Sequence, residues 1–164
     1  MIAAVHPAGL TPMERDAAFR IVLADAADHL TAAFGADAVV AAGGSAANTM
    51  TGVASFGGKA GYIGKVAADA LGERFTHEFH AAGVAFATAP RPTPPGTARS
   101  LIAVTPDGHR SMNTYLGAST LLASEDIDAD LIRAGAVTFL EGYLFDRDEA
   151  KAAFVRAAEI ARAA

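Results

Sequence analysis

Apolar positions recur along this chain in two rhythms, and their alternation outlines the fold. Phe19, Val22, Leu23, Ala26, Leu30, Ala33 and Phe34 fall at helical spacing. Ahead of them, Thr11-Pro12-Met13-Glu14 is a helix start. Thr11 can cap, Pro12 sits where its missing N–H costs nothing, and Glu14 completes a capping box. The pattern predicts one helix running to a stop at Gly35. Residues 38–42 read as a short buried strand, and 45–56 as a helix with Ala46, Ala47, Met50, Val53 and Ala54 on one face. Residues 60–63 form a second strand. A helix over 69–82 aligns Leu71, Phe75, Phe79 and Ala82 on one stripe, with Gly83 as its stop, and 84–88 is a third strand.

The stretch APRPTPPG, residues 89–96, carries four prolines and can be neither helix nor central strand. It reads as a stiff connector leading into two strand-like runs, 97–104 and 110–115, joined by the hairpin signal Thr105-Pro106-Asp107-Gly108. A cap at Ser124 predicts a short acidic helix through Arg133, followed by a strand over 136–140 and a last helix over 147–163. Strands alternating with helices predict an α/β layered fold with a mostly parallel sheet. On this reading residues 1–96 and 116–164 build the sandwich, and 97–115 project from it as an antiparallel β-hairpin. No strand follows the last helix, so the sequence does not cover one edge of the parallel sheet.

Composition narrows the class. The chain has 164 residues, enough for one domain with an ordinary core, and its 52 % hydrophobic content excludes a disordered polymer. A net charge of -5 offers nothing to nucleic acid or to an anionic membrane surface. Cysteine is absent, which removes disulfides and thiolate metal sites. No apolar run approaches membrane-spanning length, and the first residues lack a basic flank before an apolar core. A soluble, cytoplasmic protein is expected.

Chemistry concentrates in VVAAGGSAANTMTG, residues 39–52. Gly43 and Gly44 follow a strand and precede a helix, and Asn48 lies about one turn into that helix. Such glycines and polar residues also serve plain turns and helix starts. In an open α/β sheet, however, ligands bind beyond the carboxyl ends of strands against helix N-termini. Two bare glycines let a ligand touch the main chain, while an asparagine amide both donates and accepts, as a sugar hydroxyl requires. Neither G-x-x-x-x-G-K-[ST] nor G-x-G-x-x-G occurs, so a hydroxyl-rich neutral ligand fits this loop better than a nucleotide phosphate.

The segment GGSAANTMTGVASFGGKAGYIGKVAADALGERF, residues 43–75, resembles the N-terminal signature of the ribokinase-like (PfkB) carbohydrate kinases. G-G-x-x-x-N, the run through Gly58, Gly64, Asp69 and Gly72, and the hairpin follow in the family's order. MNTYLGAS and FLEGYLFD resemble segments of the adenosine kinase and sugar kinase branch, and the resemblance covers about residues 39–164. It implies a ribokinase-like αβα sandwich with a β lid, and transfer of the ATP γ-phosphate to a hydroxymethyl group of a sugar or nucleoside. ATP and Mg²⁺ would serve the complete enzyme. Gly43, Gly44 and Asn48 would hold sugar hydroxyls, and Glu141, just past a strand end, would face the substrate. Residues 97–115 would close as the lid and could pair two copies into a homodimer.

The chain departs from the family in two places. MIAAVHPAGLTPMERD shows no opening strand with the family's G-N-x-x-x-D pattern, and neither N-x-x-E nor D-T-x-G-A-G-D is present. The latter motif supplies the family's anion hole and aspartate base, so no catalytic residue is expected here. The chain is expected to be incomplete at both ends relative to the family and inactive alone. The alternative is a truncated relative that binds a ligand or dimerises without chemistry. Among the other polar residues, His6, His29, His77, His80 and His109 lack metal-ligand spacing. Asp69 reads as a helix-start residue, Lys65 as a surface lysine, and Glu125, Asp126, Asp128 and Asp130 as a solvated helix start. Arg99 and Arg110 flank the hairpin as lid charges or edge protection.

Overall fold

Four aromatic rings hold one layer of the molecule together. Phe75 and Phe79 stack with centroids 4.4 Å apart, and Tyr62 meets Phe79 edge-on at 5.1 Å. Phe86 lies 5.6 Å from Phe75. The computed structural model describes residues 2–5, 19–35 and 38–164. Its strands are β1 (Ile2–Val5), β2 (Phe19–Ile21), β3 (Val39–Ala41), β4 (Ala60–Tyr62), β5 (Val84–Phe86), β6 (Arg99–Val104) and β7 (Arg110–Tyr115). Its α-helices are α1 (Ala24–Phe34), α2 (Ser45–Ser55), α3 (Ala70–Ala81), α4 (Ala129–Ala134) and α5 (Asp148–Ala163).

The parallel pair β4–β5 carries the aromatic cluster, covered by α2 and α3 through Ala47, Phe75 and Phe79. Burying four rings in edge-on and offset contacts stabilises this layer beyond its area alone. A second core joins α4 and α5 through Ile127, Ile132, Ala153 and Ala157. The other sheet is five-stranded, in the order β2-β7-β6-β1-β3. The predicted hairpin β6–β7 forms, with Arg99 opposite Tyr115 and Val104 opposite Arg110, around the Thr105–Gly108 turn. It lies inside this sheet, flanked in parallel by β1 and β2.

Several expectations need correction. The helix predicted to reach back to residue 11 begins at Ala24; Thr11, Pro12 and Glu14 lie outside the described residues. Phe19 falls in the helical rhythm, yet residues 19–21 pair with β7, because an available strand edge outweighs periodicity in a segment this short. Strand β1 was not foreseen, although Ile2–Val5 pairs on both sides. The strand before the glycines is neither buried nor parallel to its neighbour: β3 runs antiparallel to β1 at the sheet edge, with Val39 68 % exposed. The acidic helix from Ser124 breaks into a 3-10 turn, Ser124–Asp126, and α4, because Asp128 caps a new start with bonds from the N–H groups of Asp130 and Leu131. Residues 136–140 form no strand, and Val137 is 86 % and Phe139 55 % exposed. A lone strand has no ladder to stabilise it.

Close backbone approach explains much of the glycine spacing. A Cβ on Gly72 would stand 2.1 Å from the Ala67 carbonyl oxygen, whereas one on Gly52 in α2 would meet nothing within 4 Å. Gly72→Ala is expected to destabilise the fold by about 3 kcal/mol in urea unfolding, the upper end for overpacking. Gly52→Ala should stabilise it by roughly 0.5–1 kcal/mol through helix propensity. Equal effects of the two substitutions would contradict this packing.

Candidate functional site

The turn after β3 is built from the least restrained residues in the chain, so neighbouring side chains must set its shape. Gly44 takes φ +119°, a conformation that side chains strain, and serves as N-cap of α2. No side chain caps that helix start, which leaves first-turn N–H groups free to meet a ligand. The Asn48 N–H closes the helix onto the Gly44 carbonyl at 2.8 Å, while its side chain is exposed rather than packed in the core. Gly43, Gly44 and Asn48 therefore share one open turn. Glu141 stands apart from it: half-buried, it is the N-cap of the 3-10 turn Gly142–Leu144, and no described hydrogen bond ties it to the glycines.

Two residues that sequence reasoning passed over hold the approach to this turn. Glu78 Oε2 accepts from the Ala42 N–H at 2.5 Å, and Arg74 Nη2 donates to the Val40 carbonyl at 2.5 Å. Arg74 and Glu78 are also joined to each other at 2.6 Å, one turn apart on α3. The Arg74 hydrogen bond is the main reason the Glu78 carboxyl sits below its usual pKa. Their i,i+4 spacing was the available signal, but it does not reveal a target on β3.

A second junction anchors the hairpin. Asp69 caps α3 by accepting from the Gly72 N–H at 2.8 Å, as its position predicted. The same carboxylate accepts from the Thr97 N–H at 2.8 Å and the Thr97 hydroxyl at 2.6 Å. Thr97 is buried, and its hydroxyl oxygen accepts in turn from the Ala67 N–H at 3.0 Å. Burial alone would raise the Asp69 carboxyl, but the Thr97 hydroxyl and the N–H groups of Thr97, Gly72 and Leu71 outweigh it and hold the pKa low.

Other charged residues have structural partners. Lys65 is not a surface lysine: it pairs with Asp126, their side chains being 12 % and 7 % exposed. That removes Asp126 from the solvated acidic cluster, whereas Glu125, Asp128 and Asp130 remain exposed. Arg99 pairs with Asp28 on α1 and lies over the Tyr115 ring, fastening α1 to the five-stranded sheet. Among the described residues no group of three or more His, Asp or Glu side chains could hold a metal ion, and no helix is long and apolar enough to cross a membrane. A groove of about 500 Å³ lies between α3 and the end of β5, against His77, His80 and Thr88; it includes none of the predicted ligand residues.

Sequence and fold are both similar to those of known proteins. The family model described as pfkB family carbohydrate kinase matches residues 27–164. The chain belongs to the PfkB family. Similar solved structures include the adenosine kinase from Sinorhizobium meliloti, at 46 % identity and TM-score 0.87 over 99 % of this chain and 50 % of that one. The probable sugar kinase protein from Rhizobium etli CFN 42 is 45 % identical, with TM-score 0.88 over the same shares. A putative ribokinase II from E. coli, at 16 % identity and TM-score 0.75 over 99 % of this chain and 47 % of that one, shares the fold. The chain thus spans about half the length of these PfkB relatives, and its architecture is the ribokinase-like α/β fold. No curated protein matches the sequence.

The low pKa of Asp69 fixes a sign. Its folded pKa lies below the unfolded value of about 3.9. The stabilisation is therefore complete above that pH and lost as pH falls through the folded value. Asp69→Asn should lower stability at pH 7 by about 2 kcal/mol, from the lost charge on the cap and on the Thr97 bonds. Below about pH 4 the gap between variant and wild type should narrow. Denaturant titrations at several pH values measure it, and a gap that stays constant into acid would contradict the assignment.

Proposed function

We propose that this chain is the hydroxyl-binding part of an ATP-dependent kinase acting on a hydroxymethyl group of a sugar or nucleoside. Family membership supports the reading, and the observation that carries it is the open Gly43–Gly44 turn, with its uncapped helix start and exposed Asn48. Backbone N–H groups of the turn donate to ring hydroxyls, and the Asn48 amide donates and accepts beside them. Glu141 is the weaker member of this set, because no described contact brings it to the glycines. Residues 97–115 serve as the lid that excludes water, hinged where Asp69 grips Thr97.

The family implies ATP and Mg²⁺ for the complete enzyme. The described residues do not fit the metal, since no acidic or histidine cluster among them could hold it. A base and a γ-phosphate site are assigned to the length of the PfkB relatives that this chain does not span. Pairing of two copies through the lid would use a sheet face or the β2 and β3 edges, because both hairpin strands are already flanked.

Calorimetric titration with adenosine and with ribose tests the reading, alongside a coupled ADP-release assay. One ligand should bind, with affinity reduced about tenfold in Asn48→Ala, the worth of one or two hydrogen bonds. The chain alone should release no ADP above background. Equal affinity in wild type and Asn48→Ala would overturn the site. Turnover by the chain alone would overturn the division of labour.

A further inference from the structure

The Gly43–Gly44 turn has no side chain of its own to fix it, and β1 pairs with β3 no further than Ala41. Something else must orient the last residue before the glycines. Val40 and Ala42, two residues apart, present their backbone groups to the same side of the strand. That side is the sheet edge, and on it stand Arg74 and Glu78 of α3. The Val40 carbonyl accepts from Arg74, and the Ala42 N–H donates to Glu78, both at 2.5 Å. The bond between Arg74 and Glu78 closes the pair into a two-pronged clamp. Both bonds to the main chain involve a charged partner and are stronger than neutral ones.

We infer that Arg74 and Glu78 are positioning residues, which set the direction of the Gly43–Gly44 turn by gripping the main chain on the residues just before it. The inference rests on the reading of that turn as the hydroxyl-binding site. Neither side chain is assigned contact with ligand or with reacting atoms. The clamp instead links the aromatic layer, through Phe75 and Phe79 on the same helix, to the strand that leads into the glycine turn. A plain surface ion pair on α3 would not need two matching bonds to a strand more than thirty residues away.

The test compares wild type, Glu78→Ala, Glu78→Gln and Arg74→Ala by amide hydrogen exchange, thermal unfolding and adenosine titration. Glu78→Ala should speed exchange at the Ala42 amide about tenfold, as expected for losing one bond to a charged acceptor. Adenosine affinity should weaken by a similar factor while the unfolding midpoint stays near wild type. Glu78→Gln keeps an oxygen for the Ala42 N–H and should recover most of both. Wild-type exchange at Ala42 in Glu78→Ala would overturn the clamp. Affinity falling only together with the midpoint, with no recovery by Gln, would overturn the positioning role. If wild type binds neither adenosine nor ribose, the hydroxyl-binding reading fails, and exchange at Ala42 alone decides the clamp.

Discussion

A single carboxylate, that of Asp69, joins the start of α3 to the start of the hairpin, and most of the described architecture depends on that junction. It caps the helix that carries Phe75 and Phe79 into the aromatic layer, and it accepts two bonds from Thr97. Gly72 lets the first turn of α3 lie against the Ala67 carbonyl, where no Cβ would fit. On the other side, the Gly96 carbonyl accepts from the Ala118 N–H, and Gly117 leaves room for that carbonyl. Both ends of the hairpin are thus fastened at one place. A charge partly withdrawn from water is tolerated there because it is fully hydrogen-bonded.

The candidate site inherits its order from the same helix. One end of α3 holds the hairpin, while Arg74 and Glu78 farther along hold the strand that leads to the glycines. A single helix thereby sets the geometry of both. Ligand-binding loops carried on a fixed scaffold follow the same logic. Exposed Val137, Phe139, Leu140, Tyr143 and Phe145 contrast with this order: they follow α4 in a stretch where the described chain offers no strand to pair with.

Legibility in the sequence followed the range of the forces involved. Helix α3 was readable from Asp69 to Gly83 because cap, apolar stripe and stop are all local. The hairpin was readable from Thr105-Pro106-Asp107-Gly108 for the same reason. Residues 19–21 and β1 were not, because a strand of three or four residues is decided by which edge it meets. The segment 136–140 failed in the opposite direction, having strand composition without a partner. At the site, the glycine pair and Asn48 stood out through spacing and family resemblance. Arg74, Glu78 and Thr97 did not, since each acts across at least 28 residues. Lys65 was misread because its partner Asp126 lies 61 residues away.

The proposed function puts the hydroxylated ligand at the glycine turn and not in the groove on α3. Mapping amide chemical shifts of the labelled chain during titration with adenosine and with ribose tests it directly. The largest shifts should fall on Gly43, Gly44, Ser45 and Asn48, with smaller ones along β6 and β7. Shifts centred on Val66, His77, His80 and Thr88, with the glycine amides unmoved, would contradict it.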